Sequence, residues 1–294
     1  SATITAMSGG TGAPDIAAAL AGVAAEPYTD IALAWSDSAS LTSLTTELAR
    51  RYGAMVGGSD AHGYVGVANT LSGLLAFGAA QNSPHVSFAG ANGAPTPPWV
   101  WAASLAGRAA FHLGNNPARQ LRTITLPGVL APMPANIFIP SEQDSLLRDA
   151  ISTWDVLGDG TVALSRVITA YQVSPLGVPD TAFLDITTPK TLSRIRSDWR
   201  AYTMLQWPRH NLADDGAPAA VAGEAVVTPR MAWNAWAARC KLYERLGWIE
   251  DVARTSQLSV FMRDPTDRNR LNARQVVRIM GNLMVFAAAI EFEA

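Results

Sequence analysis

Three residue types that form hydrolytic triads stand within four positions of the chain, in the segment Ser59-Asp60-Ala61-His62. Catalytic triads gather their nucleophile, base and acid from separate segments, because side chains this close in sequence seldom reach the required geometry. The segment also follows two glycines, as is common in surface loops. The sequence therefore predicts a surface loop here and no assembled triad.

A second candidate is the turn Ser8-Gly9-Gly10-Thr11-Gly12, which follows a β-prone segment and precedes a helical one. This context suits a loop that holds phosphate with backbone N–H groups. The turn lacks the lysine of a P-loop, Asp15 adds negative charge beside it, and its spacing is not that of the dinucleotide fingerprint. We interpret it as a tight turn, with nucleotide binding as the alternative.

Metal ligands are scattered along the chain. His85, His112 and His210 stand far apart, and none has a carboxylate partner at the spacing of a metal-binding helix such as H-E-x-x-H. The single cysteine, Cys240, lies in an apolar helical stretch and is interpreted as a buried, inert thiol. The sequence therefore predicts no catalytic site, no cofactor and no metal ion.

The charged turn Asp264-Pro265-Thr266-Asp267-Arg268-Asn269-Arg270 is a candidate for binding. Arg268 breaks the alternation of acidic residues that an EF-hand requires, and a central glycine is missing. Arginine is favoured at protein interfaces, whereas ion pairs within a solvated turn contribute little to stability. We predict a contact between subunits through this turn, at Asp264, Asp267, Arg268 and Arg270.

The elements that would position these residues alternate in the first part of the chain. β-prone segments at 3–7, 30–34, 64–68 and 85–89 are separated by helical segments at 14–25, 40–52 and 71–81, and a further helix is predicted at 97–113. Such alternation predicts a parallel sheet with right-handed crossovers.

The second part changes character. A helix at 142–152 is followed by strands at 153–157 and 161–171 around Gly158-Asp159-Gly160, which is a strong hairpin signal. Helices are predicted at 188–207, 228–247 and 274–284, and strands at 256–263 and 285–293. We predict an α/β fold with a mixed, largely parallel sheet and flanking helices over residues 1–140. An α+β part with a hairpin and a terminal strand follows over residues 141–294, either as a second domain or continuous with the first.

The composition is poor in charge. Charged residues make up 16% of the chain and hydrophobic residues 49%, against about 25% charged residues in an average soluble domain. Protein contact surfaces are depleted in charge and enriched in Trp and Met, of which the chain has nine and eight. This favours a surface covered by a partner; a monomer rich in Ala and Gly is the alternative. The net charge of −2 does not suggest nucleic acid, and no apolar run is long enough to span a bilayer.

A series of motifs extends in order along nearly the whole chain. They are Ser8-Gly9-Gly10 with Pro14-Asp15, Asn116-Pro117-Ala118-Arg119, Gly160-Thr161-Val162, Arg166-Val167-Ile168-Thr169-Ala170-Tyr171-Gln172, Gly177-Val178-Pro179-Asp180, Pro208-Arg209-His210-Asn211-Leu212-Ala213-Asp214-Asp215-Gly216, Val227-Thr228-Pro229, and the charged turn with Ile290-Glu291-Phe292. Together they resemble the contractile-tail sheath subunit of Mu-like bacteriophages and prophages. Asn115-Asn116 departs from the family pattern, which has Asp before the proline. Sheath subunits are longer, so we expect this chain to be the C-terminal portion of one.

The resemblance implies a structural subunit and not an enzyme. Sheath subunits surround an inner tube as stacked six-fold rings in a helical polymer, and neighbours are joined by exchanged strands. Contraction drives the tube through a bacterial envelope. The implied partners are further copies of the chain, the tail tube protein, and baseplate and tail terminator proteins. The implied location is the virion, after assembly in the host cytoplasm.

Two sites follow from this implied role. The helix at 228–247 carries Arg230, Arg239, Lys241 and Arg245, which we predict to face an acidic tube; a solvated amphipathic helix is the alternative. The terminal strand is predicted to pair with a neighbour's sheet, since unprotected apolar edges are normally covered. Its candidate contact residues are Val285, Phe286, Ile290 and Phe292. The alternative is that it completes its own sheet.

Two other functions stay open. One is an α/β-hydrolase-like or nucleotide-binding enzyme that uses the Ser8 loop. The other is a protein-binding scaffold that does not polymerise. Assembly of the full-length protein into long tubules would distinguish the sheath subunit from both.

Overall fold

The computed structural model describes residues 12–53 and 59–289, which form two compact units. Unit 1 contains the described residues up to Gly114 together with Leu121–Ile186. Unit 2 contains Asn115–Gln120 and the described residues from Thr187 onwards. The predicted boundary between residues 140 and 141 does not coincide with these units, because the hairpin that follows it belongs to the sheet of unit 1.

Unit 1 is built from alternating helices and strands. In chain order they are α1 (Ala17–Gly22), β1 (Asp30–Leu33), α2 (Ser38–Tyr52), β2 (His62–Ala68), α3 (Leu71–Ala79), β3 (Val86–Ala91), α4 (Pro98–Asn115), β4 (Thr125–Leu130), a 3-10 turn (Pro134–Asn136), α5 (Pro140–Arg148), β5 (Ile151–Val156) and β6 (Thr161–Arg166). The strands form one sheet in the order β1-β2-β3-β5-β6-β4. β1, β2, β3 and β5 are parallel, and β6 and β4 are antiparallel to their neighbours. The predicted mixed, largely parallel sheet with flanking helices is confirmed.

The central strands β2 and β3 are buried along almost their whole length, as expected for a sheet with helices on its faces. Trp101 of α4 and Trp154 of β5 pack together with ring centroids 5.1 Å apart, and the Trp154 indole N–H donates to the Gly90 carbonyl at 2.8 Å. A Cβ at Gly66 would lie 1.9 Å from the carbonyl oxygen of Pro98. Glycine is therefore required where α4 begins against the sheet.

Two details of unit 1 differ from the prediction. The helix predicted to reach residue 152 ends at Arg148, and Ala150, with φ of +62°, turns the chain into β5. β-branched and aromatic residues in β5 favour the strand. The sequence did not predict β4, because Pro127 and Gly128 interrupt it. Proline is tolerated there because β4 is an edge strand.

Side chains of α4 cover the backbone of that edge strand. The Ser104 hydroxyl donates to the Pro127 carbonyl at 3.0 Å, and the Arg108 Nε donates to the Thr125 carbonyl at 2.9 Å. Together with Pro127 and the irregular register between β4 and β6, these bonds protect the edge from pairing with another strand.

In unit 2 the structure describes helices and three two-stranded sheets up to residue 289. Its elements are α6 (Thr187–Gln206), β7 (Asn211–Leu212), α7 (Pro218–Val221), β8 (Val226–Val227), α8 (Pro229–Arg245), β9 (Ile249–Glu250), α9 (Val252–Leu258), β10 (Val260–Arg263), β11 (Leu271–Arg274) and β12 (Arg278–Ile279). The sheets pair β7 with β8, β9 with β12, and β10 with β11. The predicted start of α8 is confirmed, because the Thr228 hydroxyl accepts a hydrogen bond from the Met231 N–H ahead of Pro229.

The C-terminal part of unit 2 corrects several predictions. The strand predicted at 256–263 begins only at Val260, after α9, which Asp251 caps by accepting from the Arg254 N–H. The helix predicted at 274–284 is wrong: the segment supplies the end of β11 and the short strand β12. The terminal strand predicted from Val285 is not formed in residues 285–289, which are neither helix nor strand. The strand at 3–7 and the turn from Ser8 to Thr11 lie outside the described residues.

A buried arginine holds the connection between α1 and β1. The Arg51 side chain is fully buried and donates to the carbonyls of Val23 and Glu26. Its Nε also pairs with Glu47 at 2.8 Å. Arg50 binds the same carboxylate at 2.7 Å but is 42% exposed. Without Arg51 the carbonyls of Val23 and Glu26 would lose a hydrogen bond at a site where the guanidinium itself excludes water, whereas water can replace much of what Arg50 provides.

We predict that Arg51→Met destabilises the protein far more than Arg50→Met. Removing one partner of a buried, hydrogen-bonded ion pair costs about 3 kcal/mol. Losing the exposed Arg50 costs much less, because water screens its charge and can replace its hydrogen bonds. Urea unfolding followed by circular dichroism measures both, and equal losses for the two variants would contradict the role assigned to Arg51.

Candidate functional site

The basic face of α8 is smaller than the sequence predicted. Arg230, Lys241 and Arg245 lie on the same side of the helix, because they are separated by eleven and four positions. All three side chains are exposed. In the part of the chain that the structure describes, they form no ion pair. These three residues, here called the α8 basic face, remain available to an acidic partner.

Arg239 lies on the opposite side of α8 and is directed into unit 2. Its guanidinium binds Asp198 of α6 through two hydrogen bonds, Nε to Oδ2 at 2.7 Å and Nη2 to Oδ1 at 2.6 Å. It also lies over the ring of Tyr202, 5.3 Å from the centroid. Such two-pronged pairing is the preferred geometry between arginine and carboxylate. Arg239 therefore joins α6 to α8 instead of contributing to the basic face.

The Tyr243 hydroxyl also donates to Asp198, which completes a three-residue network. Partial burial works against ionisation of Asp198, but the hydrogen bonds from Arg239 and Tyr243 outweigh it and hold the pKa of that carboxyl below its ordinary value. Burial, and then Asp198 itself, raises the pKa of Tyr243. Burial also raises the pKa of Cys240 to about 12, so this thiol stays protonated, as the sequence predicted for an inert cysteine.

Aromatic rings pack around this network. The ring centroid of Trp199 lies 5.2 Å from that of Trp236, 5.6 Å from that of Tyr202 and 6.2 Å from that of Phe261. The Trp236 indole N–H donates to the Ser259 hydroxyl at 3.1 Å. These rings link α6 and α8 to β10 and so fix the position of the small sheet that ends in the charged turn.

In the charged turn, the carboxylate of Asp264 forms hydrogen bonds within the hairpin. Its Oδ1 accepts from the hydroxyl and the N–H of Thr266, and its Oδ2 accepts from the Asn272 amide at 2.8 Å. These hydrogen bonds, those from Thr266 first, hold the pKa of Asp264 well below its ordinary value. Asp267 and Arg268 are exposed at the tip of the hairpin. Arg270 is also exposed and binds the Asn272 side chain through its Nε at 2.8 Å, and a subunit contact through the turn stays a prediction.

The segment after β12, here called the tail, exposes apolar side chains. Leu283, Val285 and Phe286 are 71%, 78% and 82% exposed. Such large apolar side chains next to one another usually mark a surface that a partner covers. Ile290 and Phe292, the other two predicted contact residues, lie outside the described residues.

The prediction of a surface loop for the triad-like segment is wrong at its end, which enters the sheet. His62 is the first residue of β2 and is buried, and its Nε2 lies 2.9 Å from the hydroxyl of Ser87 on β3. Ser87 is also fully buried, so this pair belongs to the core of the sheet. Among the described residues no three metal-binding side chains converge, and no helix combines the length and hydrophobicity needed to cross a membrane.

Solved sheath tail proteins share this fold. The sheath tail protein of Listeria innocua superposes with a TM-score of 0.64 at 14% identity, over 95% of this chain and 60% of that one. The sheath tail protein of Desulfitobacterium hafniense superposes with a TM-score of 0.60 at 13% identity, over 89% of this chain and 59% of that one. The architecture is thus that of a tail sheath protein.

Sequence comparison gives the family. Residues 9–170, more than half of the chain, match the phage tail sheath protein central domain, and the chain belongs to this family. The Mu-like prophage FluMu tail sheath protein of Haemophilus influenzae is 29% identical over 291 residues. That alignment covers 99% of this chain and 59% of the relative. The chain therefore spans about three fifths of its relative's length, and the resemblance to Mu-like sheath subunits is confirmed.

We predict that Asp198→Asn destabilises unit 2 by about 2 kcal/mol at pH 7, since hydrogen bonds to a charged group are the stronger ones. Because the pKa of Asp198 is lowered in the folded chain, its contribution is complete above the ordinary value of 3.8 and is lost as the pH falls below it. The variant should therefore lose less stability in acid than the parent. Urea unfolding followed by tryptophan fluorescence at pH 7 and pH 3 measures this.

Asp144→Asn is the matched control. Asp144 pairs with Arg148 on α5, and both side chains are more than half exposed, so its loss should cost less than about 0.5 kcal/mol. Similar losses for the two variants, or an unchanged acid dependence in Asp198→Asn, would refute the role of the network.

Proposed function

We propose that this chain is part of a structural subunit that polymerises with copies of itself around a tail tube and contracts to drive the tube through a bacterial envelope. Membership in the tail sheath family gives the class of protein. The observation that carries the self-assembly is the exposed apolar tail of unit 2, a unit whose small sheets have only two strands each among the described residues.

The sheets of unit 2 suit strand addition from a neighbour. The β9–β12 and β10–β11 sheets have two strands each among the described residues. An isolated two-stranded ribbon is only marginally stable, and an added strand would satisfy its outer backbone groups. The β4 edge of unit 1, in contrast, is covered by Ser104 and Arg108. We therefore assign the exchange of strands to unit 2.

The tail supplies a strand with the right chemistry. Burying a large apolar side chain stabilises a protein by about 1.5–3 kcal/mol, and the tail exposes Leu283, Val285 and Phe286. Backbone hydrogen bonds to a neighbouring sheet tolerate changes in the orientation of the two subunits, because they depend little on side-chain detail. A tail paired in this way keeps subunits joined while they rotate during contraction.

The α8 basic face is assigned to the tube. An acidic tube surface would complement the exposed charges of Arg230, Lys241 and Arg245 and would set the register of the sheath on it. A solvated helix face without a partner is the alternative. In the assembled particle the further partners are baseplate and tail terminator proteins. The particle forms in the host cytoplasm and the chain resides in the virion, in stacked six-fold rings.

The enzyme reading receives less support. The histidine of the triad-like segment lies with Ser87 inside the sheet, where a substrate would not reach it. The Ser8 loop, which the nucleotide-binding alternative requires, falls outside the described residues apart from Gly12. The role that we propose needs no active site, only two packings of one subunit that differ in free energy.

Removing the tail should abolish assembly while leaving the fold intact. We predict that the full-length subunit deleted from Val285 onwards stays soluble and forms no tubules by electron microscopy, because the inter-subunit strand is gone. The variant Val285→Ser/Phe286→Ser keeps the length of the tail and should reduce assembly through the loss of apolar contact alone. Normal tubules from the deleted subunit would overturn the exchange, and loss of thermal melting would place the tail in its own core.

Reversing charge on the α8 basic face should separate tube binding from self-assembly. We predict that Lys241→Glu/Arg245→Glu in the full-length subunit abolishes decoration of purified tubes and leaves tube-free polymers unchanged. The control Arg209→Glu/Arg254→Glu makes the same charge change at two other exposed arginines of unit 2. Tube decoration that persists in the first variant, or is lost equally in both, would contradict the assignment.

A further inference from the structure

The base of the tail is tied to unit 2 by a short series of polar contacts. β12 pairs with β9, and the Met280 N–H donates to the Trp248 carbonyl at 3.2 Å. The Asn282 side-chain amide then donates to the Thr187 hydroxyl at 2.9 Å. One residue further on, the Leu283 carbonyl accepts from the Gln120 side-chain amide at 2.8 Å. The exposed apolar side chains of Val285 and Phe286 follow after Met284.

The two side chains that bind Asn282 and Leu283 belong to residues at the boundaries between unit 1 and unit 2. Gln120 is the last residue of the segment Asn115–Gln120, which belongs to unit 2 although the chain before and after it belongs to unit 1. Thr187 is the first residue of unit 2 after Ile186. Both therefore stand where the chain passes between the two units.

The neighbours of these residues are firmly held. Leu121 follows Gln120, Ile186 precedes Thr187, and each is 2% exposed within the hydrophobic core of unit 1. On the other side, Ala118 packs against the core of unit 2. A displacement at the base of the tail therefore acts on Gln120 and Thr187. The residue next to each of them, Leu121 or Ile186, is fixed in the core of unit 1.

We propose that Gln120 and Thr187 form a pin that couples the direction of the tail to the two passages of the chain between unit 1 and unit 2. When a partner holds the tail, the pin transmits the force on the tail to residues 120 and 187, where the chain crosses between the units. In the reverse direction, a change in the backbone at these two residues changes the direction of the tail. The mechanical consequence rests on the proposed exchange of the tail between subunits. The coupling itself is a property of the single chain.

Hydrogen–deuterium exchange on this chain tests the pin without any assembly. In Asn282→Leu the substitution lies in the tail, and the readout is the exchange of peptides covering 115–121 and 184–192. Loss of one hydrogen bond should speed the exchange of their protected amides about fivefold. Gln120→Met should likewise speed exchange in 184–192, although Gln120 is not part of that peptide, because releasing Leu283 also loosens the adjacent Asn282 and its hydrogen bond to Thr187.

Asn234→Leu and Gln206→Met are the matched controls. They make the same chemical changes at exposed positions of α8 and α6 and should leave both peptides unchanged. Unchanged exchange at 115–121 and 184–192 in Asn282→Leu would overturn the coupling, as would an effect of Gln120→Met confined to its own peptide. Failure of the proposed function would appear differently, as normal tubules from a subunit without its tail.

Discussion

A β-strand edge exposes backbone N–H and C=O groups that must be paired, covered or hydrated, and the two units of this chain meet that constraint in different ways. In unit 1 the six-stranded sheet provides partners for its central strands, and side chains of α4 cover the carbonyls of the edge strand β4. Among the residues of unit 2 that the structure describes, the strands are paired two by two. The helices α6 and α8 and their aromatic contacts hold the β10–β11 sheet in place, and in our proposal the outer edges of such small sheets accept a strand from a neighbouring copy.

The chain has few charged residues, and several of its arginines bind other parts of the same chain. Several arginines serve the interior of the chain: Arg51 binds carbonyls between α1 and β1, Arg166 binds Asp185 through two hydrogen bonds, and Arg239 joins α8 to α6. Arginine suits these positions because its planar head donates several hydrogen bonds in fixed directions. The cations of the α8 basic face are instead exposed on one side of a single helix, which is the arrangement that our proposal assigns to an acidic partner.

The sequence signals that succeeded were local. Alternation of β-prone and helical segments, the Asp159-Gly160 turn and the Thr228-Pro229 helix start depend on residues a few positions apart, and the structure confirms each. The failures involve partners that are distant in sequence. β4 exists because β6 pairs with it despite Pro127, and the helix predicted at 274–284 gives way to pairing between β12 and β9. For the same reason Arg239 was grouped with the exposed cations, since nothing near it in sequence indicates Asp198, 41 residues earlier.

In the tail, the local sequence and the structure disagree. Its apolar residues predict a strand, yet Val285 and Phe286 are exposed and unpaired in secondary structure within the described chain. Local propensity and global fold normally agree in a natural sequence, so a disagreement of this kind indicates a missing partner or a functional site. For a member of the tail sheath family the second copy of the chain is the partner that our proposal supplies. In that proposal the pin at Gln120 and Thr187 fixes the base of the tail, so that a neighbour can hold the tail while the subunits move.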